Sequence, residues 1–221
     1  MTFVYMVEIK DVPKPTIERI CKIYQVLGDL EKEKAETVTS SRLADLIGFS
    51  SHSIRKDLSL IGFTGNNGAR YQVKKLKELI GNVLCFDRQR KICVVGLGRI
   101  GSAILNYPNL KESGFEIAAG FDSSVNKLET LKTDVKLFPA YQIPEIVKRD
   151  GIDTAVLAVP SEAAQSSAER LAEGGIKGIL NFTPANIRLN AKEIFVANID
   201  LVNELRVVSV MSDLSFRSGS K

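Results

Sequence analysis

The chain has 221 residues, 44% of them hydrophobic, and a formal net charge of +4. That is room for two small domains with real cores, and the composition excludes a disordered or low-complexity chain. No apolar run approaches the roughly 20 residues of a membrane helix, and the start MTFVYMVEIKD lacks the basic-then-apolar layout of a leader, so a cytoplasmic protein is expected.

In the first 86 residues, Pro15 and Thr16 open a helix whose apolar positions Ile17, Ile20, Cys21, Tyr24, Leu27 and Leu30 recur at helical spacing. Glu31 to Thr37 reads as a solvated connection. Ser40 or Ser41 then caps a short helix bearing Leu43, Ala44 and Ile47 that Gly48 stops. Ser51 can cap the next, whose apolar stripe is Ile54, Leu58 and Ile61. Two short helices about a glycine turn form the helix-turn-helix pattern, and the second turns Ser53, Arg55, Lys56 and Ser59 away from its stripe, toward a major groove. After Gly62, Asn66-Asn67-Gly68 has the chemistry of a hairpin tip; Arg70 stands beside it, and Tyr71 and Val73 alternate inward. This looks like the wing of a winged helix, with Arg70 aimed at a phosphate or the minor groove. Charge agrees: residues 40 to 80 carry seven Lys and Arg against three Asp and Glu, which is the whole excess of the chain. The expected partner is double-stranded DNA, touched by Ser40, Ser41, Arg42, Ser51, Ser53, Arg55, Lys56, Ser59, Arg70 and Tyr71. A three-helix domain with a solvated basic face is the plain alternative.

Residues 87 to 199 follow another rule. The strand-like KICVV leads into Gly96-Leu97-Gly98-Arg99-Ile100-Gly101, a helix follows, and EIAAGFD ends on Asp122, 21 positions past the last glycine. This is a dinucleotide fingerprint. Gly96 permits a tight turn, Gly98 lets backbone approach a pyrophosphate, and Gly101 lets helix and strand pack closely. The pyrophosphate would sit at the helix N-terminus. Asp122 would accept hydrogen bonds from the ribose and repel a 2′-phosphate, so NAD(H) is expected rather than its phosphorylated counterpart.

Beyond it come apolar runs at Lys136 to Phe138, Thr154 to Val159 and Gly178 to Phe182, with helices at Ile143 to Arg149 and Ala163 to Ala172 between them. Runs apolar on both faces imply a buried parallel sheet of Rossmann-like α/β class. Ligands of such sheets bind beyond the C-terminal strand ends, which adds Ser123, Val159, Pro160, Ala163, Asn181, Phe182, Thr183 and Pro184 as candidates. Residues 200 to 221 carry an amphipathic helix with Leu201, Leu205, Val208, Met211 and Leu214. It needs a partner surface, either its own sheet or a second copy of the chain, and a homodimer contact suits a protein reading two DNA half-sites.

Cys21, Cys85 and Cys93 are widely spaced, without a CxxC motif and with His52 as the lone imidazole, so no metal or disulfide is expected. Each cysteine reads as a small buried apolar residue. His52 falls in the DNA-reading helix, and the chain after Asp122 has room for the sheet but not for a second, catalytic lobe, so no enzyme and no catalytic residue is expected. An NAD-dependent dehydrogenase, a regulator sensing another adenine nucleotide or coenzyme A, and an adaptor with a vestigial site are the competing classes.

TIERI, SSRLADLIG, SIRKDLSLIG, GNNGARY, the glycine turn, ILNY, GFD, AVPSEAAQ, GIKGILNFTP and NIDLVNEL, taken in this order, make the chain similar over essentially its full length to the Rex family of redox-sensing transcriptional repressors. The resemblance implies a homodimer with N-terminal winged helices, Rossmann-like domains and a C-terminal helix swapped between subunits. It implies repression of fermentative and respiratory genes that is relieved when NADH binds. By the same resemblance, Tyr107 in ILNY lies by the nicotinamide, and Arg19 and Asp200 exchange partners in the switch, with Asp200 also counted among the cofactor residues. Two departures stand out. The family usually has Gly-Asn-Leu-Gly where this chain has Gly98 to Gly101, and Gly-x-Gly-Tyr where it has Gly68 to Tyr71.

Overall fold

A computed structural model describes residues 12–63, 70–86, 88–189 and 193–218. The chain divides between Arg88 and Gln89 into two compact units.

In the first unit, helix α1 (Lys14–Lys32) begins just after Pro13, with proline in its first turn where a missing N–H costs nothing. It buries Thr16, Ile20, Ile23, Leu27 and Leu30, while Cys21 lies on the exposed side. The expectation of three buried cysteines is therefore corrected. Cys93 is buried and Cys85 is half-buried, because Cys21 falls outside the stripe that α1 turns inward. Strand β1 (Thr37–Thr39) leads into α2 (Ser40–Ile47), and α3 (Ser51–Leu60) follows a turn at Gly48, whose φ of +74° suits glycine. The caps sit one residue earlier than the sequence suggests. Thr39 accepts the Arg42 N–H, and Ser50 accepts the Ser53 N–H, since these two residues hold the extended backbone that an N-cap requires.

Strand β2 (Arg70–Gln72) pairs antiparallel with β1 and runs into α4 (Val73–Leu84), so the base of the wing is present. The expected hairpin tip at Asn66, Asn67 and Gly68 lies outside the described residues. Ile54, Leu58, Ile61, Tyr71, Leu76 and Ile80 close the core against α1.

The second unit is a six-stranded parallel sheet in the order β5-β4-β3-β6-β7-β8. Its strands are β3 (Arg90–Val95), β4 (Phe115–Asp122), β5 (Leu137–Pro139), β6 (Thr154–Leu157), β7 (Gly178–Asn181) and β8 (Phe195–Asn198). The chain builds outward from β3 to β5, then returns to the other side of β3 with β6. That reversal between β3 and β6 is the switch point where open α/β sheets bind ligands. Alternate residues of β3 serve opposite faces. Cys93 and Val95 pack with Ile143, Ile146 and Val147 of α8 (Ile143–Asp150) and with Ala164, Ala168 and Leu171 of α9 (Ser161–Glu173). Val94 packs with Leu97 and with Leu105 of α5 (Arg99–Leu105) on the other side. Short helices α6 (Pro108–Glu112) and α7 (Val125–Thr130) flank β4, and α10 (Leu201–Ser218) follows β8.

Candidate nucleotide cleft and nucleic-acid surface

A cleft of about 520 Å³ opens over the ends of β3, β4 and β6, a size typical of small-molecule sites. Gly96 has a φ of +92°, and a side chain there would lie 2.6 Å from the Ala158 carbonyl oxygen. A Cβ on Gly101 would fall 1.8 Å from the Gly96 carbonyl oxygen, so the turn and α5 fit only as glycines. Gly98 differs, because a Cβ there would meet nothing within 4 Å. The fold has no need of glycine at that position, and the open space beside the turn fits a closely approaching pyrophosphate. Gly98, Arg99 and Ile100 line the cleft where α5 begins, and the first N–H groups of a helix have no partner within it.

Asp122 ends β4 at the cleft wall, 6% exposed. Its Oδ2 accepts the Leu97 N–H at 2.7 Å and the Lys127 ammonium at 2.9 Å, and its Oδ1 accepts the Ser124 N–H at 2.8 Å. Burial pushes the carboxyl group up, but these donors outweigh it and hold it below the ordinary aspartate range. An ionised carboxylate has about four acceptor positions, so most of this one is spent fastening the glycine turn to β4, and capacity for a ribose hydroxyl remains at Oδ1. Lys127 was not foreseen; its position five residues past Asp122, on α7, was the available signal. Arg99, Lys127 and Arg170 line the cleft with Asp122 as the carboxylate among its lining residues. The resulting positive excess suits a dianionic pyrophosphate.

The candidates Gly96, Ser123, Val159, Pro160 and Ala163 also line the cleft. Others are placed elsewhere. Leu97 is buried and contributes its N–H to Asp122, and Gly101 is buried beneath the turn. Asn181 is fully buried: its amide donates to the Ala185 carbonyl and to Asn198, and its oxygen accepts both the Thr183 N–H and the Thr183 hydroxyl. These two residues shape the turn after β7 and do not line the cleft. Phe182 packs with the group around Val94, Leu97 and Leu105, and Pro184 is exposed. Tyr107, before α6, is 54% exposed. Asp200 caps α10 by accepting the Asn203 N–H at 2.9 Å. Val95, Phe121, Ala140, Ala158, Ser166 and Ser167 complete the cleft walls.

On the first unit, Ser41, Arg42, Arg55, Lys56, Ser59 and Arg70 are exposed, and so is His52, which the sequence left unassigned. Two candidates are corrected. Ser40 is 1% exposed and accepts from Arg55 at 3.2 Å, and Tyr71 is 6% exposed, edge-on to Phe63. Ser40 is the buried first residue of α2, and Tyr71 is the inward-facing middle residue of β2, between the exposed Arg70 and Gln72. Ser51 and Ser53 are half-buried, and Ser53 is engaged with Ser50. Arg19 reaches across from α1 to grip Asp57 of α3 with two bonds of 2.6 and 2.8 Å, and Thr16 donates to the same carboxylate at 3.0 Å. The Arg19 guanidinium is raised further above its ordinary value by that bond.

Residues 87–185 match the family described as "CoA binding domain", and residues 11–59 match "Putative DNA-binding protein N-terminus". The redox-sensing transcriptional repressor Rex 1 of Thermotoga maritima is 39% identical over 199 residues, 90% of this chain and 94% of its own length. The repressor Rex of Clostridioides difficile is 33% identical over 91% of this chain and 96% of its own. Among solved structures, RSP in complex with β-NADH superposes with a TM-score of 0.83 at 26% identity, covering 96% of this chain and 99% of that one. RSP with β-NAD⁺ and operator DNA gives 0.83 at 29% identity, covering 94% and 96%.

Proposed function

The chain belongs to the Rex family of redox-sensing transcriptional repressors, and we propose that it binds palindromic operator DNA as a homodimer and lets go when NADH occupies the cleft. One observation carries the ligand half of this reading. The turn's two flanking glycines are demanded by the protein's own packing, and Gly98 alone is left with open space beside a cationic cleft. The residues present fit a dinucleotide: Gly98, Arg99 and Ile100 for the pyrophosphate and Asp122 for a ribose hydroxyl, with Val159 and Ala163 as apolar wall.

The bound group supplies a ring whose charge differs between NAD⁺ and NADH, so the discriminating contacts belong at the nicotinamide end. Tyr107 is the side chain assigned there by the family pattern. It is exposed in the single chain, in keeping with a nicotinamide end completed by a second subunit.

The switch is a shift of population between a DNA-competent dimer and a closed one in which the recognition helices leave half-site register. A near-complete shift needs NADH to prefer the closed state by roughly 5 kcal/mol. Arg19 and Asp200 are the switch pair of this reading, and each starts from a bond in its own unit, Arg19 to Asp57 and Asp200 to the start of α10. Coupling to fermentative and respiratory genes follows from the effector.

Calorimetric titration with NADH, NAD⁺ and coenzyme A tests the ligand assignment. Tight NADH binding that Asp122→Ala weakens at least tenfold is expected. Preferential binding of coenzyme A would overturn the assignment in favour of a different adenine-nucleotide sensor.

A further inference from the structure

The exposed face of α3 contains a residue that neither the sequence pattern nor the DNA-binding assignment uses. Ile54, Asp57 and Leu58 are buried, and His52, Arg55, Lys56 and Ser59 are exposed at the complementary helical spacing. The N-terminal residues of a recognition helix are those that meet base edges. In that first turn Ser51 and Ser53 are half-buried, and the Ser53 hydroxyl is 2.9 Å from that of Ser50 in the cap. Arg55 reaches back to the Ser40 hydroxyl at the start of α2, which ties its guanidinium to the neighbouring helix. His52 and Lys56 are then the two groups presented outward, one turn apart, and they differ in chemistry. Lysine can only donate, whereas a neutral imidazole donates at one nitrogen and accepts at the other.

Resting on the DNA-binding reading above, we propose that His52 is a specificity-determining residue. It hydrogen-bonds a purine edge in the major groove and fixes one base pair in each half-site, next to the position met by Lys56. Every purine offers N7 there as an acceptor, while the neighbouring group is an acceptor on guanine and a donor on adenine. A ring that can donate and accept is suited to this edge. Ser59 is a turn further along the helix, and the Arg55 guanidinium is engaged with Ser40.

The test is selection from a randomised duplex library with the full-length protein and with His52→Ala, followed by affinity measurements on the duplex that the unaltered protein enriches. The unaltered protein should enrich a palindrome. His52→Ala should enrich the same palindrome with one symmetric pair of positions made degenerate and should bind the parent duplex about tenfold more weakly, with NADH titration unchanged. His52→Asn keeps a donor and an acceptor, and it should change the preferred base at that same position rather than erase the preference. Identical selection and affinity for His52→Ala would overturn the proposal while leaving the DNA-binding reading intact. If the unaltered protein enriched no duplex, both would fall.

Discussion

Gly96, Gly98 and Gly101 are one residue type under three different constraints. Gly96 sits at a φ of +92° against the Ala158 carbonyl and Gly101 sits against the Gly96 carbonyl, whereas Gly98 faces open space. Gly96→Ala should therefore lower the melting temperature of the protein measurably. Gly98→Ala should leave melting within about a degree and weaken NADH binding, because its Cβ intrudes only on the ligand; calorimetry and thermal melting on the same samples separate the two. Asp122 gives a second prediction at this scale. Its carboxyl group is held below the ordinary aspartate range in the folded protein, so it contributes stability that is fully present above that range and lost as pH falls through the folded value. Lowering the pH below about 4 should therefore destabilise the unaltered protein more steeply than Asp122→Asn, as read by denaturant melts across pH.

At the level of elements, α1 and α3 are joined by a buried polar link centred on Asp57. Asp57 is 1% exposed and takes two bonds from Arg19 and one from Thr16. Removing one partner of a buried pair strands the other charge, at a cost of about 3–5 kcal/mol. Arg19→Ala, which leaves the buried Asp57 carboxylate without its cation, should show a loss of that size in urea unfolding and should disturb the placement of α3, so operator affinity falls with it. The sequence revealed α1, α2 and α3 through their apolar spacing, and it revealed the parallel sheet through runs apolar on both faces. Asp57 escaped notice because an acid inside a basic motif reads as a solvated charge until the partner 38 residues away is placed. Strand β8 was not legible for a different reason: its four residues lie at the sheet edge and none is fully buried, so they carry no strand periodicity. Asn181 and Thr183 stand at a strand end, where topology alone places ligand contacts. Their polar groups satisfy one another instead, a matching that only geometry discloses. The serine caps were misplaced by one residue because Ser50, Ser51 and Ser53 all have capping chemistry, and backbone conformation alone selects among them.

For the whole molecule, the telling element is α10. Leu201, Leu205, Val208, Met211 and Leu214 are each more than half exposed along it in the single chain, a contiguous apolar face of the kind that marks an interface. Deleting residues 201–221 should convert a dimer to a monomer in sedimentation velocity and should abolish operator binding while the remaining domains still fold. Joining a nucleotide cleft to a basic helix-turn-helix makes sense when occupancy of one alters the other. The most direct test is an electrophoretic shift of a palindromic operator fragment by the full-length protein with NAD⁺, with NADH and with neither. The complex should be retained with NAD⁺ or no nucleotide and lost across rising NADH; a complex that persists unchanged at saturating NADH would rule out an NADH-released repressor.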